Sequence, residues 1–192
     1  MHRFVLFVFS VFGSTPVLAE LVNPTFDSDF SGWDIHTAEV VSWSPDDAGG
    51  SANSGSVEQI SPGPGSGGVG SAISQCIDVQ DVEFPLLFRA SAKVFEEGEP
   101  GVSAVVLFFE YRGPDCTNFV GFVQDLPINL GADDWQSNSV LFSPDDAQTR
   151  TVAIRLGILK EQGTGEGGRV RYDNVVFGSP TNLFQDRFEI LD

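Results

Sequence analysis

Basic residues are scarce in this sequence of 192 residues: 10 Lys and Arg stand against 27 Asp and Glu, which gives a formal net charge of −17. A surface with this excess of acid repels phosphate groups, so nucleic acids and anionic membranes are not expected as partners. A neutral ligand or a cation remains open. Charged residues make up only 19% of the chain and hydrophobic residues 41%, a balance that favours a folded domain over a disordered chain.

Histidine and cysteine are also scarce, with two of each. A zinc site is not expected, because beyond the N-terminal segment His36 is the only histidine. The sequence has no G-x-S-x-G motif, and no pair of acids stands out as catalytic. We therefore expect a protein that is not an enzyme. The alternative is a glycoside hydrolase-like activity, because a sequence does not reveal how far apart two carboxylates lie in space.

Long apolar runs are absent except near the N-terminus, where one extends from Phe4 to Phe12. It follows a short basic start and precedes small residues, a pattern typical of a signal peptide cleaved after Ala19. The run has about half the ~20 residues that a membrane-spanning helix needs, and an uncleaved anchor is the alternative. We predict a signal peptide over 1–19 and a protein that is secreted, either periplasmic or extracellular.

The two cysteines, Cys76 and Cys116, allow only one intramolecular pairing. In the oxidising compartment expected of an exported protein, a disulfide between them would contribute roughly 4 kcal/mol in the chain-entropy view. Two free thiols are the alternative.

Apolar residues alternate with polar ones in several short segments. Residues 149–160 carry four aliphatic side chains on one parity, and 86–95 show the same period, as expected of half-buried strands. Residues 102–112 are apolar on both parities, as in a central strand. A helical period is not evident. We predict an all-β fold, a two-sheet antiparallel β-sandwich of about eight to ten strands, in one domain over 20–178 that is followed by a short tail over 179–192.

The sequence Ser-Pro-Asp-Asp-Ala occurs twice, at 44–48 and at 143–147, each time after an apolar segment. Serine as a cap with proline in the next position suggests one turn of helix at a strand exit. We interpret the recurrence as a repeated local turn, in preference to a duplicated functional site.

Two motifs near the ends of the predicted domain resemble a known family. Residues 21–27 (Leu-Val-Asn-Pro-Thr-Phe-Asp) are followed by Gly32-Trp33, and residues 170–177 contain Asp-Asn-Val. The combination resembles the jelly-roll carbohydrate-binding modules of bacterial secreted glycoside hydrolases, and the galactose-binding-like β-sandwiches related to them. The resemblance implies a jelly-roll fold.

The resemblance also implies a structural calcium ion that ties the first strand to the last, with Asp27 and Asp173 as oxygen ligands. This chain departs from the family around Gly55, where a further acidic ligand is usual and the nearest acid is Glu58. Two alternatives are that Asp27 caps a turn while Asp173 lies among arginines, and that residues 27–32 begin an EF-hand-like loop.

Sugar recognition uses aromatic faces with polar groups beside them. The candidate ligand-binding residues are Trp43, Tyr111 and Trp135, with Asn118, Gln124 and Asn138 as polar partners; each aromatic residue could instead belong to the core. We expect a non-catalytic protein that binds a poly- or oligosaccharide. The alternative is a structural or adhesive surface protein of the same fold without a sugar site.

Overall fold

The structure, a computed structural model, describes residues 21–36, 40–61, 68–95, 101–161 and 167–180. The predicted signal peptide and residues 181–192 of the predicted tail lie outside these ranges. The regular elements of the described part are ten β-strands in two five-stranded sheets, so the predicted all-β sandwich is confirmed. No helix within the described ranges is long and apolar enough to cross a membrane.

The strands follow in chain order as β1 (Asp34–Ile35), β2 (Val40–Ser44), β3 (Ser56–Ser61), β4 (Gly68–Asp78), β5 (Leu86–Phe95), β6 (Val102–Tyr111), β7 (Phe119–Asn129), β8 (Gln136–Phe142), β9 (Thr151–Lys160) and β10 (Gly168–Gly178). The first sheet has the order β1-β4-β9-β6-β7, and the second has the order β2-β3-β10-β5-β8. All neighbouring strands are antiparallel. The last strand of the domain therefore lies at the centre of the second sheet.

The predicted alternation decides which side chains enter the core. In β9, Val152, Ile154 and Leu156 are fully buried, whereas Arg155 points to the outer face of the first sheet. Phe108 of β6 meets Phe88 of the opposite sheet at 5.2 Å between ring centroids, edge to face. The core is thus an apolar layer between the two inner faces.

One buried hydroxyl crosses this layer. Tyr172 of β10 is fully buried, and its hydroxyl contacts the carbonyls of Val105 (3.0 Å) and Gly157, which belong to the other sheet. Burial raises the pKa of the Tyr172 phenol, which therefore stays protonated.

The N-terminal segment packs against the last strand. Phe26 is fully buried beside Trp33, with 5.5 Å between ring centroids. The backbone N–H of Val175 in β10 donates to the carbonyl of Pro24 at 2.9 Å. The two motifs that carry the family resemblance are therefore neighbours in space.

The predicted pairing of Cys76 and Cys116 is confirmed: a disulfide joins β4 to the loop between β6 and β7, with the Cα atoms 5.9 Å apart. The predicted helical turns do not form. After β2 and after β8 the chain makes reverse turns instead, closed by hydrogen bonds from Gly50 N to Asp47 O (3.3 Å) and from Thr149 N to Asp146 O (3.0 Å).

Candidate functional site

Four aromatic side chains from two neighbouring strands form a patch on the outer side of the first sheet. We call this patch, made of Phe109, Tyr111, Phe119 and Phe122, the aromatic face. Phe109 and Tyr111 alternate outward along β6, and they pair with Phe122 and Phe119 of the edge strand β7. The ring centroids are 5.4 Å apart for Phe109 and Phe122, and 5.6 Å apart for Tyr111 and Phe119. The rings therefore form one continuous aromatic cluster.

Phe119 and Phe122 are three residues apart, a spacing that would place them on opposite faces of a regular strand. The register between β6 and β7 shifts at three places, and the shift between Glu110 and Tyr111 falls between the partners of Phe122 and Phe119. Each shift inserts an extra residue into β7. The irregularities bring both rings to the outer side, where Phe119 is 59% exposed and Phe122 is 49% exposed.

A single arginine from β9 adjoins the aromatic face. The guanidinium carbon of Arg155 lies 4.1 Å from the ring centroid of Phe109, a cation–π distance, and its Nη2 donates to the Tyr111 hydroxyl at 3.2 Å. Arg155 covers the ring of Phe109, so Phe119 and Phe122 present the freely accessible rings.

The loop between β6 and β7 is held at one end of the aromatic face. Asn118 adopts a left-handed conformation (φ 58°), and its carbonyl accepts the N–H of Arg112 at 3.1 Å. The Cys116 sulfur is bonded to Cys76, which pairs with Ala153 on the outer side of the same sheet. The disulfide therefore fixes the loop that leads into Phe119.

The structure brings only part of the expected sugar-binding set together. Tyr111 and Asn118 lie at one end of the aromatic face, although Tyr111 is buried. Trp43 is in β2 and Trp135 directly precedes β8, the two edge strands of the other sheet. The indole of Trp43 donates to the carbonyl of Phe26 at 2.7 Å, which holds the N-terminal segment. Trp43 is 37% exposed, and Phe119 and Phe122, which strict alternation did not identify, are the most exposed aromatic residues of the described part.

A second cluster joins the N-terminal segment, the turn after β2 and the centre of β10. Asp173 is fully buried, and its carboxylate accepts the N–H groups of Ala48 (2.9 Å) and Asn174 (2.6 Å). Asp47 lies close enough for its negative charge to act on Asp173. We call Asp47 and Asp173 the carboxylate pair. No Lys or Arg of the described residues forms an ion pair with either.

The pKa values of the two carboxyl groups are shifted in opposite directions. Burial raises the pKa of Asp173 to about 6, opposed by the two backbone donors and reinforced by the negative charge of Asp47. Burial also acts on Asp47, but hydrogen bonds from Ser51 N and the Ser54 side chain outweigh it, and the pKa of Asp47 is lowered. One proton or one cation would relieve the repulsion between the two groups.

Other oxygen atoms adjoin the carboxylate pair. The Ser54 hydroxyl donates to the carbonyl of Thr25 at 3.1 Å and also adjoins Asp47. These oxygens are the ligand type that calcium prefers. Asp27 lies on the exposed turn beside them, where its carboxylate accepts the Thr25 hydroxyl at 2.8 Å. Within the described residues no group of three or more His, Cys, Asp or Glu side chains is arranged to hold a metal, so backbone and hydroxyl oxygens would have to complete such a site.

No family model matches this chain, and no curated protein matches it. Solved structures do resemble it in fold. A structure from a study of promiscuous carbohydrate-binding modules of the β-sandwich superfamily has a TM-score of 0.56 at 11% identity, covering 83% of this chain and 61% of that one. The C-terminal family 22 carbohydrate-binding module of Clostridium thermocellum Xyn10B has a TM-score of 0.55 at 11% identity, with 81% and 91% covered.

The enzymatically active domain of tailspike protein 4 from bacteriophage CBA120 has a TM-score of 0.52 at 16% identity. The match covers 85% of this chain but only 22% of that domain. These likenesses show the fold: a jelly-roll β-sandwich of the kind found in carbohydrate-binding modules.

Proposed function

We propose that this chain is a non-catalytic module of an exported protein and that it binds a saccharide on the aromatic face. The observation that carries the proposal is the exposure of Phe119 and Phe122, at 59% and 49%, on the outer side of the first sheet. Apolar ring faces stack against the C–H faces of pyranose rings, and polar groups beside them bind the sugar hydroxyls. Asn118 and the guanidinium of Arg155 are the polar groups at hand.

The fold supports this assignment, since the similar solved structures include carbohydrate-binding modules. The patch itself supports it as well, because large exposed apolar side chains that adjoin one another mark an interaction surface. A glycoside hydrolase-like activity has less support, because the match to the enzymatically active tailspike domain covers only 22% of that domain.

Retention of the protein on a panel of soluble and insoluble polysaccharides tests the proposal. We expect at least one glycan to bind, and Phe119→Ala or Phe122→Ala to weaken that binding by about tenfold, the loss typical of removing one stacked ring. Leu141→Ala is the matched control, because Leu141 is 57% exposed but lies on the other sheet. Retention on no glycan, or retention unaffected by both phenylalanine changes, would reject the saccharide site and favour the adhesive alternative.

We further propose that the carboxylate pair holds a structural calcium ion. Asp47 and Asp173 would supply carboxylate oxygens. The Thr25 carbonyl and the Ser54 hydroxyl are the neighbouring oxygen atoms that could complete the site. Bound calcium would neutralise the pair and join the N-terminal segment to β10. Asp27, the ligand expected from the family resemblance, remains a proposed additional ligand.

Thermal unfolding with millimolar calcium and with chelator tests this second proposal. We expect calcium to raise the midpoint temperature of the wild type, because a ligand that binds only the folded state stabilises it. The increase should disappear in Asp47→Asn and in Asp173→Asn, and the response of Asp27→Asn shows whether that residue is a ligand. An unchanged midpoint in the wild type would reject the calcium site.

A further inference from the structure

A pocket of about 600 Å³ lies on the outer side of the second sheet, away from the aromatic face. Thr25 and Ala48 form one wall, Asn174 forms another, and Arg89, Ser91 and Ser137 of β5 and β8 form the floor. The volume is within the range of roughly 300–1,000 Å³ that is usual for small-molecule sites. The pocket can therefore hold one sugar residue.

Arg89 is the charged residue that lines this pocket. Within the described ranges its side chain has neither an ion-pair partner nor a hydrogen-bond partner. This is unusual in a chain of net charge −17, where Lys93, Arg112, Arg150, Arg169 and Arg171 each have an acid within 4.0 Å. Arg155 also lacks an acid but is held by Phe109 and Tyr111. The guanidinium of Arg89 is thus available to an external anion.

The rest of the lining suits the hydroxyls of a sugar. The Ser91 and Ser137 hydroxyls are 2.6 Å apart and form a pair of donors and acceptors on the floor. Neither member of the carboxylate pair lines the pocket. The Asp173 carboxylate is fully buried and points to the N–H groups of Ala48 and Asn174. Neither of these two acids therefore faces a ligand beside Arg89.

We propose that this pocket binds an anionic sugar residue, either a hexuronate or a sulfated hexose. Arg89 binds the carboxylate or sulfate, since its planar donor array fits two oxygens at once, and the serine hydroxyls bind the ring hydroxyls. This site is separate from the saccharide site on the aromatic face and needs no calcium.

Titration of the isotope-labelled protein with glucuronate, glucose 6-sulfate and glucose, followed by backbone amide NMR signals, tests the proposal. We expect the signals of Ala48, Ser91 and Asn174 to move with one or both anionic sugars, at an affinity at least about tenfold above that for glucose. The two anions separate carboxylate from sulfate recognition. Equal affinity for glucose, or shifts confined to Phe119 and Phe122, would overturn the proposal.

Substitution of the arginine provides the second test. Arg89→Gln should reduce the affinity for the anionic sugar to that for glucose, and Arg89→Lys should give an intermediate value because a lysine cannot bind two oxygens in the same way. Arg150→Gln is the matched control, since Arg150 is partly exposed and paired with Asp78. Anion binding that survives Arg89→Gln would overturn the proposal, and unchanged Phe119 and Phe122 signals would show that the fold is intact.

Discussion

The same five residues, Ser-Pro-Asp-Asp-Ala, follow a strand at two places in the chain. Each time, backbone N–H groups of the turn donate hydrogen bonds to a buried carboxylate. In the turn over 44–48, the N–H of Ala48 reaches Asp173 at 2.9 Å. In the turn over 143–147, the N–H groups of Asp145 and Asp146 reach Glu110 at 2.6 and 3.1 Å. Both receiving carboxylates are buried, so they depend on such donors in place of water.

The turns differ in what their second aspartate does. Asp47 lies close to Asp173, the carboxylate that accepts the N–H of Ala48 in the same turn, so two acids face each other. Asp146 turns away and forms an ion pair with Arg112 at 2.6 Å, while the Thr149 hydroxyl gives Glu110 a further donor at 2.7 Å. An identical local sequence thus produces a carboxylate with three hydrogen-bond donors in one place and two facing acids in the other. The outcome depends on the distant strand that receives the turn, which carries Glu110 in one case and Asp173 in the other.

The largest expected effect is at Glu110. Glu110→Gln replaces a carboxylate that accepts three hydrogen bonds by an amide whose NH₂ group would face one of those donors. We expect a loss of about 2–4 kcal/mol in the free energy of unfolding, measured by chemical denaturation. Glu83→Gln on the exposed surface is the control. A loss below about 0.5 kcal/mol would show that the second turn is not held by this carboxylate.

Asp173→Asn should behave differently in calcium-free buffer at neutral pH. The asparagine NH₂ group would face the N–H of Asn174, but its oxygen can still accept the N–H of Ala48, and removal of the repulsion from Asp47 offsets the lost hydrogen bond. We expect the free energy of unfolding to stay within about 1 kcal/mol of the wild type, or to rise. A loss as large as that of Glu110→Gln would mean that the two turns are electrostatically alike, contrary to the comparison.

The pH dependence of unfolding sharpens this contrast. The pKa of Asp173 is raised from 3.8 to about 6, so the folded protein holds this proton more tightly than the unfolded chain. The resulting stability is fully present below pH 3.8 and is lost as the pH rises through about 6. In calcium-free buffer, the wild type should therefore lose stability relative to Asp173→Asn as the pH rises from 3.8 to about 6. A difference independent of pH would contradict the raised pKa.

Alternation and turn residues were sufficient to predict the strands. The expected segment 86–95 is β5, and the expected segment 102–112 is β6 to within one residue, because half-buried and fully buried strands leave different apolar patterns. The disulfide was also predictable, since only one pairing was possible. These features depend on local pattern or simple counting.

The two candidate sites depend on longer-range geometry. The irregular register of β7 brings Phe119 and Phe122 to one face, and a sequence shows no register. Asp47 meets Asp173 because the turn after β2 docks on a strand 125 residues further along the chain, as the Ala48 hydrogen bond records. The resemblance indicated Asp173 as a possible ligand, but the fold determines which acid lies beside it.

The smallest effect is expected when the second aspartate of each turn is changed to asparagine. Asp146→Asn removes an ion pair in which Arg112 is 55% exposed, so at physiological salt the midpoint temperature should be hard to distinguish from that of the wild type. Asp47→Asn should also leave the calcium-free protein folded, because it removes the acid that opposes Asp173. The two variants are separated by added calcium, which should stabilise Asp146→Asn as it stabilises the wild type and should leave Asp47→Asn unchanged. If both variants respond to calcium equally, the first turn holds no cation and the contrast between the turns is limited to their hydrogen bonds.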